Sequence, residues 1–333
     1  MSVNKKKVVA LVSGGLDSTL AMLLAVKMGF EVIPVHIITP FNGPCCKDIG
    51  PLLEVLDKLN LKLRTVSAGM DYVQLVKNPK YGYGRGMNPC IDCRIYFFKL
   101  AKKIMEDEGA VGVVTGEVLN QRPKSQTYKA IKIIEKESGL EGRVIRPLSG
   151  FYVPPTELLK EGIIKPEDLL AIKGRSRKAQ IQLAKKLGLN NIPNATGGCL
   201  LTYESYAKKL KDLFEHDKNF TMVDIQLLKI GRHFRLDENT KLIVGRNQQE
   251  NDYLESLSVY VKLKPKNCKG PVGVLKGSPS LIYTAAEILA SYCDGNVGDI
   301  MTFSVIEDDK ETKEISAPKK DKSLFKKYMI TLN

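Results

Sequence analysis

No stretch of this chain is apolar for long enough to cross a bilayer, so a transmembrane helix is not expected. The first apolar run, residues 8–12, follows a basic tail and is too short for the core of a signal peptide. The protein is therefore expected in the cytoplasm, without a membrane partner. Acidic side chains are scarce, 37 against 51 basic ones, which leaves a net charge of +14. A field of that sign suits a polyanionic partner, because Lys and Arg release condensed counterions when they meet nucleic acid. Between residues 173 and 186 acids are missing altogether, while Lys173, Arg175, Arg177, Lys178, Lys185 and Lys186 crowd together. Cysteine is sparse too: seven, an odd number, and a cytosolic setting disfavours structural disulfides. Metal binding or sulfur chemistry then competes with buried, inert thiols as the reason for them.

The glycine loop near the N-terminus also lacks two familiar endings. Its second glycine is not followed by Lys-Ser or Lys-Thr, which excludes a Walker A loop. It is not G-x-G-x-x-G either, which excludes the dinucleotide fingerprint. What stands there is Ser13-Gly14-Gly15-Leu16-Asp17-Ser18, between the apolar run 8–12 and a helix-like segment 19–26. A strand, a Gly/Ser turn and a helix in that order make an anion site. Glycine lets backbone N–H groups approach a phosphate, and the helix N-terminus adds unpaired donors and partial positive charge. Ser13 and Ser18 offer hydroxyls, and Asp17 can hold Mg2+ between phosphate oxygens.

The chain's 333 residues suffice for two domains. Strand-like runs at 31–38, 61–66, 110–114 and 143–146 alternate with helix-like ones at 48–60, 93–108 and 125–136. That alternation predicts a parallel sheet covered on both faces, with ligands at the C-terminal ends of its strands. The 13–18 loop, Ile37, the Cys90/Cys93 loop and Thr115-Gly116 all follow apolar strands, so they are expected to converge. Pro154-Pro155 marks a break before the basic helical segment 156–190. From about Tyr203 short strands at 225–228, 233–236, 241–244, 258–263, 272–275 and 300–305 mix with helices, an α+β pattern. The division expected is 1–202 and 203–333, with an exposed basic stretch at 319–327.

Asn88-Pro89-Cys90-Ile91-Asp92-Cys93-Arg94 is the second strong motif. A C-x-x-C spacing puts two sulfurs on one turn, within reach of one metal centre. A helix starting near Cys93, with Arg94 beside it, is expected to lower the thiol pKa. Cys199, in Thr196-Gly197-Gly198-Cys199-Leu200, is a third cysteine on a glycine-containing loop.

The Ser-Gly-Gly-Leu-Asp-Ser string resembles the PP-loop of the ATP-pyrophosphatase superfamily. Over the first 200 or so residues the chain looks like the MnmA-type tRNA 2-thiouridylases, whose N-P-D-x-x-C and S-T-G-x-C motifs match the segments ending in Cys93 and Cys199. The resemblance implies an adenine-nucleotide alpha hydrolase-like, Rossmann-like domain. It implies an enzyme, a tRNA sulfurtransferase, that adenylates a uridine carbonyl oxygen with ATP and Mg2+, releases pyrophosphate and then installs sulfur. It places Ser13, Gly14, Gly15, Asp17 and Ser18 on the phosphates, and Ile37 and Gly116 near adenine and ribose. Cys93 takes the catalytic position and Cys199 the persulfide-carrying one. Cys90 departs from the pattern by replacing an Asp, and iron–sulfur tRNA thiolases use three such cysteines for a [4Fe-4S] cluster. Cys90, Cys93 and Cys199 are accordingly expected as cluster ligands. Persulfide relay, or a structural zinc completed by Cys45 or Cys46, remains the other reading. Beyond residue 203 the chain resembles an NFACT-R-type RNA-binding domain, in 228–236, 243–247 and Gly270-Pro271-Val272. Contacts to RNA are expected from Arg175, Arg177, Lys178, Arg232, Arg235 and Arg246, with His233 or Phe234 stacking on bases. The implied partners are tRNA, a sulfur donor (a cysteine desulfurase, a relay protein or inorganic sulfide) and a second copy in a homodimer. Synthesis of 2-thiocytidine or 4-thiouridine, a zinc-bearing ligase, and a non-catalytic RNA-binding protein stand as alternatives.

Overall fold

Strand β1 (Lys7–Leu11) shows why the sequence folds as it does. Val8 and Ala10 point to one face, packing with Ala21, Met22 and Ala25 of helix α1 (Leu16–Lys27) and Leu52, Val55 and Leu56 of α2 (Gly50–Lys58). Val9 points to the other, against Ile95, Phe98, Ala101 and Ile104 of α4 (Cys90–Asp107). Apolar residues on both sides of a strand require cover on both sides, as a parallel sheet provides.

The computed structural model describes residues 5–43, 49–189, 191 and 198–332, in two units, Met1–Thr202 and Tyr203–Asn333. Cys45, Cys46, the first residue of the expected 48–60 helix, and residues 192–197 before Cys199 lie outside the described residues. In the first unit β1, β2 (Glu31–Ile38), β3 (Arg64–Ser67), β4 (Gly112–Thr115) and β5 (Val144–Ile145) form one parallel sheet in the order β3-β2-β1-β4-β5. The order reverses where β1 lies between β2 and β4. Parallel sheets bind ligands at such a switch point, beyond the strands' C-terminal ends. Helix α3 (Met70–Lys77) follows β3, α5 (Tyr128–Ser138) lies between β4 and β5, and α6 (Thr156–Lys160) and the basic α7 (Lys178–Lys186) come last.

In the second unit β6 (Arg232–Arg235), β7 (Lys241–Val244), β8 (Val261–Pro265), β9 (Gly273–Lys276), β10 (Ile300–Glu307) and β11 (Lys310–Pro318) make an antiparallel sheet ordered β11-β10-β8-β9-β7-β6. Its helices are α8 (Glu204–His216), α9 (Met222–Leu227), α10 (Gln248–Glu255) and α11 (Ile282–Ala290). Ala285, Ala286 and Leu289 of α11 pack with Phe234, Phe303 and Val305 in the main core.

Three local expectations change. Residues 225–228 are not a strand: they are the end of α9, which starts at Met222 because Thr221 and Asp224 form a capping box, in which the Asp224 carboxylate accepts from Thr221 N–H at 2.8 Å. Helix α4 starts at Cys90 rather than Cys93, so both cysteines of C-x-x-C sit in its first turn. The basic stretch at 319–327 is not wholly exposed, since Phe325 is buried in the second unit's core.

Candidate active site

The 13–18 loop is held open by its own side chains. Ser13 N–H donates to Ser18 Oγ at 3.1 Å, and Ser18 Oγ and Thr19 Oγ1 donate to Gly15 O at 2.9 and 3.1 Å. Gly14 has φ +80, a conformation that side chains rarely adopt, and a Cβ there would meet Ile49 Cγ2 at 2.9 Å. Gly15 is the N-cap of α1, whose first N–H groups have no intrahelical acceptor. Ile37 lies near the end of β2, paired with Val66.

Gly116 stands just beyond β4 and packs on the loop itself. A Cβ there would lie 2.5 Å from Ser18 N and 2.4 Å from the Asp17 carbonyl carbon. Only glycine permits that approach, and it fixes the β1 and β4 ends against each other. Asp17 is held on one side only: its Oδ2 accepts from Gln121 Nε2 at 2.6 Å, while its Oδ1 is buried without a hydrogen-bond partner. Gln121 Oε1 in turn accepts at 3.0 Å from Gln180 Nε2, and Gln180 is buried on α7. Two amides therefore connect the loop carboxylate to the basic helix. An orphaned carboxylate oxygen in the first turn of α1 fits a cation such as Mg2+.

A second series of contacts leads from the loop to the thiols. Glu117, fully buried next to Gly116, accepts from Arg94 Nη2 at 2.7 Å and from Arg146 Nε at 3.0 Å. Burial alone would raise the Glu117 pKa, but the Arg94 and Arg146 guanidiniums hold it below the usual carboxylate range. Arg94 also donates to Thr115 Oγ1 at 3.2 Å, so the first turn of α4 is tied to the end of β4. Asp92 anchors the same turn by accepting from Lys80 and Tyr81 N–H at 2.9 and 3.1 Å.

One phenol reaches the thiols at Cys93. Tyr72 of α3 is buried, and its hydroxyl donates to Cys93 Sγ at 3.0 Å. Burial, with Cys93, Cys199 and Cys90 as electrostatic neighbours, pushes its own pKa well up. Cys199 arrives on a short segment that bridges antiparallel to Asn42. Leu200 N–H donates to Phe41 O at 3.0 Å and Met87 N–H to Leu201 O at 2.9 Å, which places that segment between the chain after β2 and the loop before α4.

The thiols are not activated as expected. Burial pushes Cys93 up to about 11, outweighing the Tyr72 hydroxyl and Arg94, and it raises Cys90 against the pull of Arg122, Lys124 and Arg94. A helix start lowers a thiol pKa only where the thiolate keeps some access to water or a strong counter-charge. Among the described residues no three His, Cys, Asp or Glu side chains are gathered for a single metal ion. A tetrahedral zinc needs its sulfurs about 2.3 Å from one point. A four-iron cluster takes one thiolate per iron, so its cysteines stand further apart. The donor set of Cys90, Cys93 and Cys199 is all thiol, the chemistry that iron–sulfur clusters and zinc both select.

Sequence reasoning did not single out Tyr72, Gln121 or Gln180. Gln121 had one legible sign, a polar breaker-rich loop (Asn120 to Lys124) directly after an apolar strand. On the basic segment, Arg175 and Lys178 are exposed, while Arg177 is partly covered at the N-cap of α7. In the second unit Arg235 is gripped by Asp212 at 2.9 and 2.8 Å, and Arg246 pairs with Glu250. Arg232 lies over the Tyr292 ring, 4.7 Å from its centroid, and donates to Gly245 O. His233 and Phe234 are buried and present no face for a base to stack on. The reason is β-strand alternation: Phe234 enters the core beside Tyr292, and His233 Nε2 meets the Leu227 and Ile230 carbonyls.

Residues 3–154 match the family of ThiI, described as a thiamine biosynthesis protein, and residues 231–329 match the NFACT protein RNA binding domain. A probable tRNA sulfurtransferase of Methanothermobacter thermautotrophicus is 33% identical over 155 residues, 43% of this chain and 36% of the relative. The tRNA-specific 2-thiouridylase MnmA of Petrotoga mobilis is 26% identical over 253 residues, 69% of this chain and 65% of the relative. Among solved structures, the U34-tRNA thiolase NcsA from Methanococcus maripaludis with its [4Fe-4S] cluster aligns with 17% identity and a TM-score of 0.37, covering 68% of this chain and 73% of that one. The chain spans little more than a third of the length of the first curated relatives it matches. Its N-terminal unit thus resembles the ThiI family over residues 3–154, with likeness to the MnmA enzymes, and its C-terminal unit resembles the NFACT RNA binding domain over residues 231–329.

Proposed function

We propose that this chain is an ATP-dependent tRNA thiolase. The observation that carries the reading is the continuous run of contacts from loop to thiol: Ser18 and Asp17 against Gly116, Glu117 to Arg94, and Arg94 beside Cys93. An ATP-splitting loop and a sulfur site that share one rigid frame suit a reaction in which activation and sulfur transfer occur on the same atom. The 13–18 loop and the α1 N-terminus bind the outer phosphates of ATP, and the free Asp17 oxygen accepts Mg2+. A uridine carbonyl oxygen attacks the α-phosphorus, pyrophosphate leaves, and AMP becomes the leaving group on the base carbon. Loop N–H groups neutralise charge as the phosphoryl group transfers. A [4Fe-4S] cluster held by Cys90, Cys93 and Cys199 would supply sulfide at an iron without a protein ligand. Tyr72 orients the Cys93 sulfur, and Arg94 fixes the turn that carries it. The acceptor base must leave its stack to reach this pocket, and tRNA as substrate places the work in the cytoplasm.

The product is read first as 2-thiouridine, from the two cysteine motifs and the MnmA relatives. The ThiI match over residues 3–154 favours O4 as the second reading, giving 4-thiouridine. Nucleoside mass spectrometry of tRNA from cells lacking the gene distinguishes them, since one thionucleoside should vanish. Cys90→Ala, Cys93→Ala and Cys199→Ala should each abolish its restoration while ATP binding persists. An unchanged thionucleoside profile would sink the proposal, and full activity in one variant would remove that cysteine from the site. Brown colour after anaerobic purification is expected of the wild-type chain.

A further inference from the structure

Phe151 is two-thirds exposed, at 67%, in the turn after β5. Its ring meets that of Tyr152 edge to face, with centroids 5.3 Å apart and planes at 90°. The Lys173 ammonium stands over Tyr152, 4.7 Å from its centroid. One exposed phenyl needs no explanation by itself. An exposed ring against a second ring that lies under a cation, followed by exposed Arg175 and Lys178, forms a surface with a definite chemistry.

The surface is also rigidly mounted. Ser149 Oγ accepts from Leu119 N–H at 3.0 Å and donates to Ile172 O at 2.7 Å. Gly174 N–H donates to Leu119 O at 2.8 Å, and Phe151 N–H to Leu170 O at 3.3 Å. The segments after β4, after β5 and before α7 are thereby sewn into one base. The segment after β4 then delivers Gln121 to Asp17. The rings therefore stand at the C-terminal end of the sheet, on the same support as the phosphate loop.

We propose that Phe151, braced edge to face by Tyr152, is a stacking platform for an unpaired RNA base, with the strand's phosphates running over Lys173, Arg175 and Lys178. Aromatic faces beside a basic track are how proteins hold single strands: every base has a π-face, and the cations follow the backbone. A duplex hides its bases and offers the platform nothing. The charge complementarity points to a polyanion rather than an apolar protein surface. This inference rests on the RNA-acceptor reading above.

The chain contains no tryptophan, so Phe151→Trp makes a sole indole at the platform. In the full-length protein its fluorescence should be quenched saturably by an unpaired oligouridylate. A blunt duplex of equal length should quench it little. Leu53→Trp, at an exposed position on α2 of the N-terminal unit, supplies the background and should not respond. Phe151→Ala should weaken oligouridylate binding about tenfold. Binding that leaves the indole unchanged overturns the platform, as do equal quenching by duplex, equal quenching in Leu53→Trp, undiminished affinity in Phe151→Ala, or failure to bind. The tRNA nucleoside profile is read separately. Thiolation without quenching rejects the platform alone, and quenching by a chain that thiolates nothing rejects the activity.

Discussion

Asp17 presents one carboxylate oxygen to Gln121 and keeps the other buried and unpartnered. Gln121 must point its NH2 at the carboxylate, so its carbonyl faces Gln180, and the orientation of both amides follows. This arrangement holds one oxygen and leaves the second unclaimed without adding charge. Gln121→Leu should leave the fold intact and free Asp17 to rotate. Outer partners of metal-binding groups are typically worth about 10- to 100-fold in affinity or activity. The Mg2+ concentration that half-saturates ATP–pyrophosphate exchange should rise by that factor, with the ATP dependence at saturating Mg2+ changed less. An unaltered Mg2+ dependence would show that Asp17 needs no such support. At the thiols the same scale of reasoning works against reactivity. Cys93 at about 11 stays protonated at neutral pH, so a partner that strips the proton outright, as a coordinating metal does, suits it better than attack as a free nucleophile.

The elements of the site are joined by Glu117, whose two oxygens tie α4 to β4 through Arg94 and to Arg146 beyond β5. Glu117→Ala leaves the fully buried Arg146 with Glu135 alone. Breaking a buried pair costs about 3–5 kcal/mol, which denaturant unfolding of the N-terminal unit should register. The wild-type pair also has a pH signature. A carboxyl held below its ordinary pKa binds fewer protons folded than unfolded, so its contribution is complete above the ordinary Glu value of about 4.3 and is lost as pH falls. Glu117→Gln should flatten the acid limb of the stability curve, and an identical limb in both proteins would contradict the assignment. Much of this frame was legible in the sequence, because β1, β2 and β4 are mostly apolar runs with a glycine-bearing loop after them. The α9 segment misled because Ile225, Leu227 and Leu228 read as strand, while the signal for a helix lay outside the apolar run in Thr221 and Asp224. Strand β11 left no pattern, since only Ile315 and Ala317 of its nine residues are both apolar and buried. Helix α3 is short, and the importance of Tyr72 depends on its hydroxyl meeting Cys93, 21 residues away, which no local pattern encodes.

The whole molecule carries +14, and two accounts of that charge differ in what they predict. A diffuse basic field attracts RNA through all 51 cations together, so removing a few of them changes little. A localised track concentrates the contact: Lys173, Arg175 and Lys178 are exposed in sequence order beside the platform, whereas Arg235 and Arg246 of the second unit are occupied by Asp212 and Glu250. Each phosphate neutralised on a single strand adds about −0.7 to the slope of log affinity against log salt. Three phosphates on the track amount to a slope of about −2, or roughly twentyfold in affinity between about 50 and 200 mM salt. In a triple alanine variant of these residues the slope for an unpaired oligoribonucleotide should therefore become shallower by about 2. The diffuse account predicts a slope almost unchanged, since 48 basic residues would remain after three are removed from 51. Measuring affinity across salt, rather than at one concentration, separates the two, because a general loss of affinity shifts the line while a lost phosphate contact tilts it.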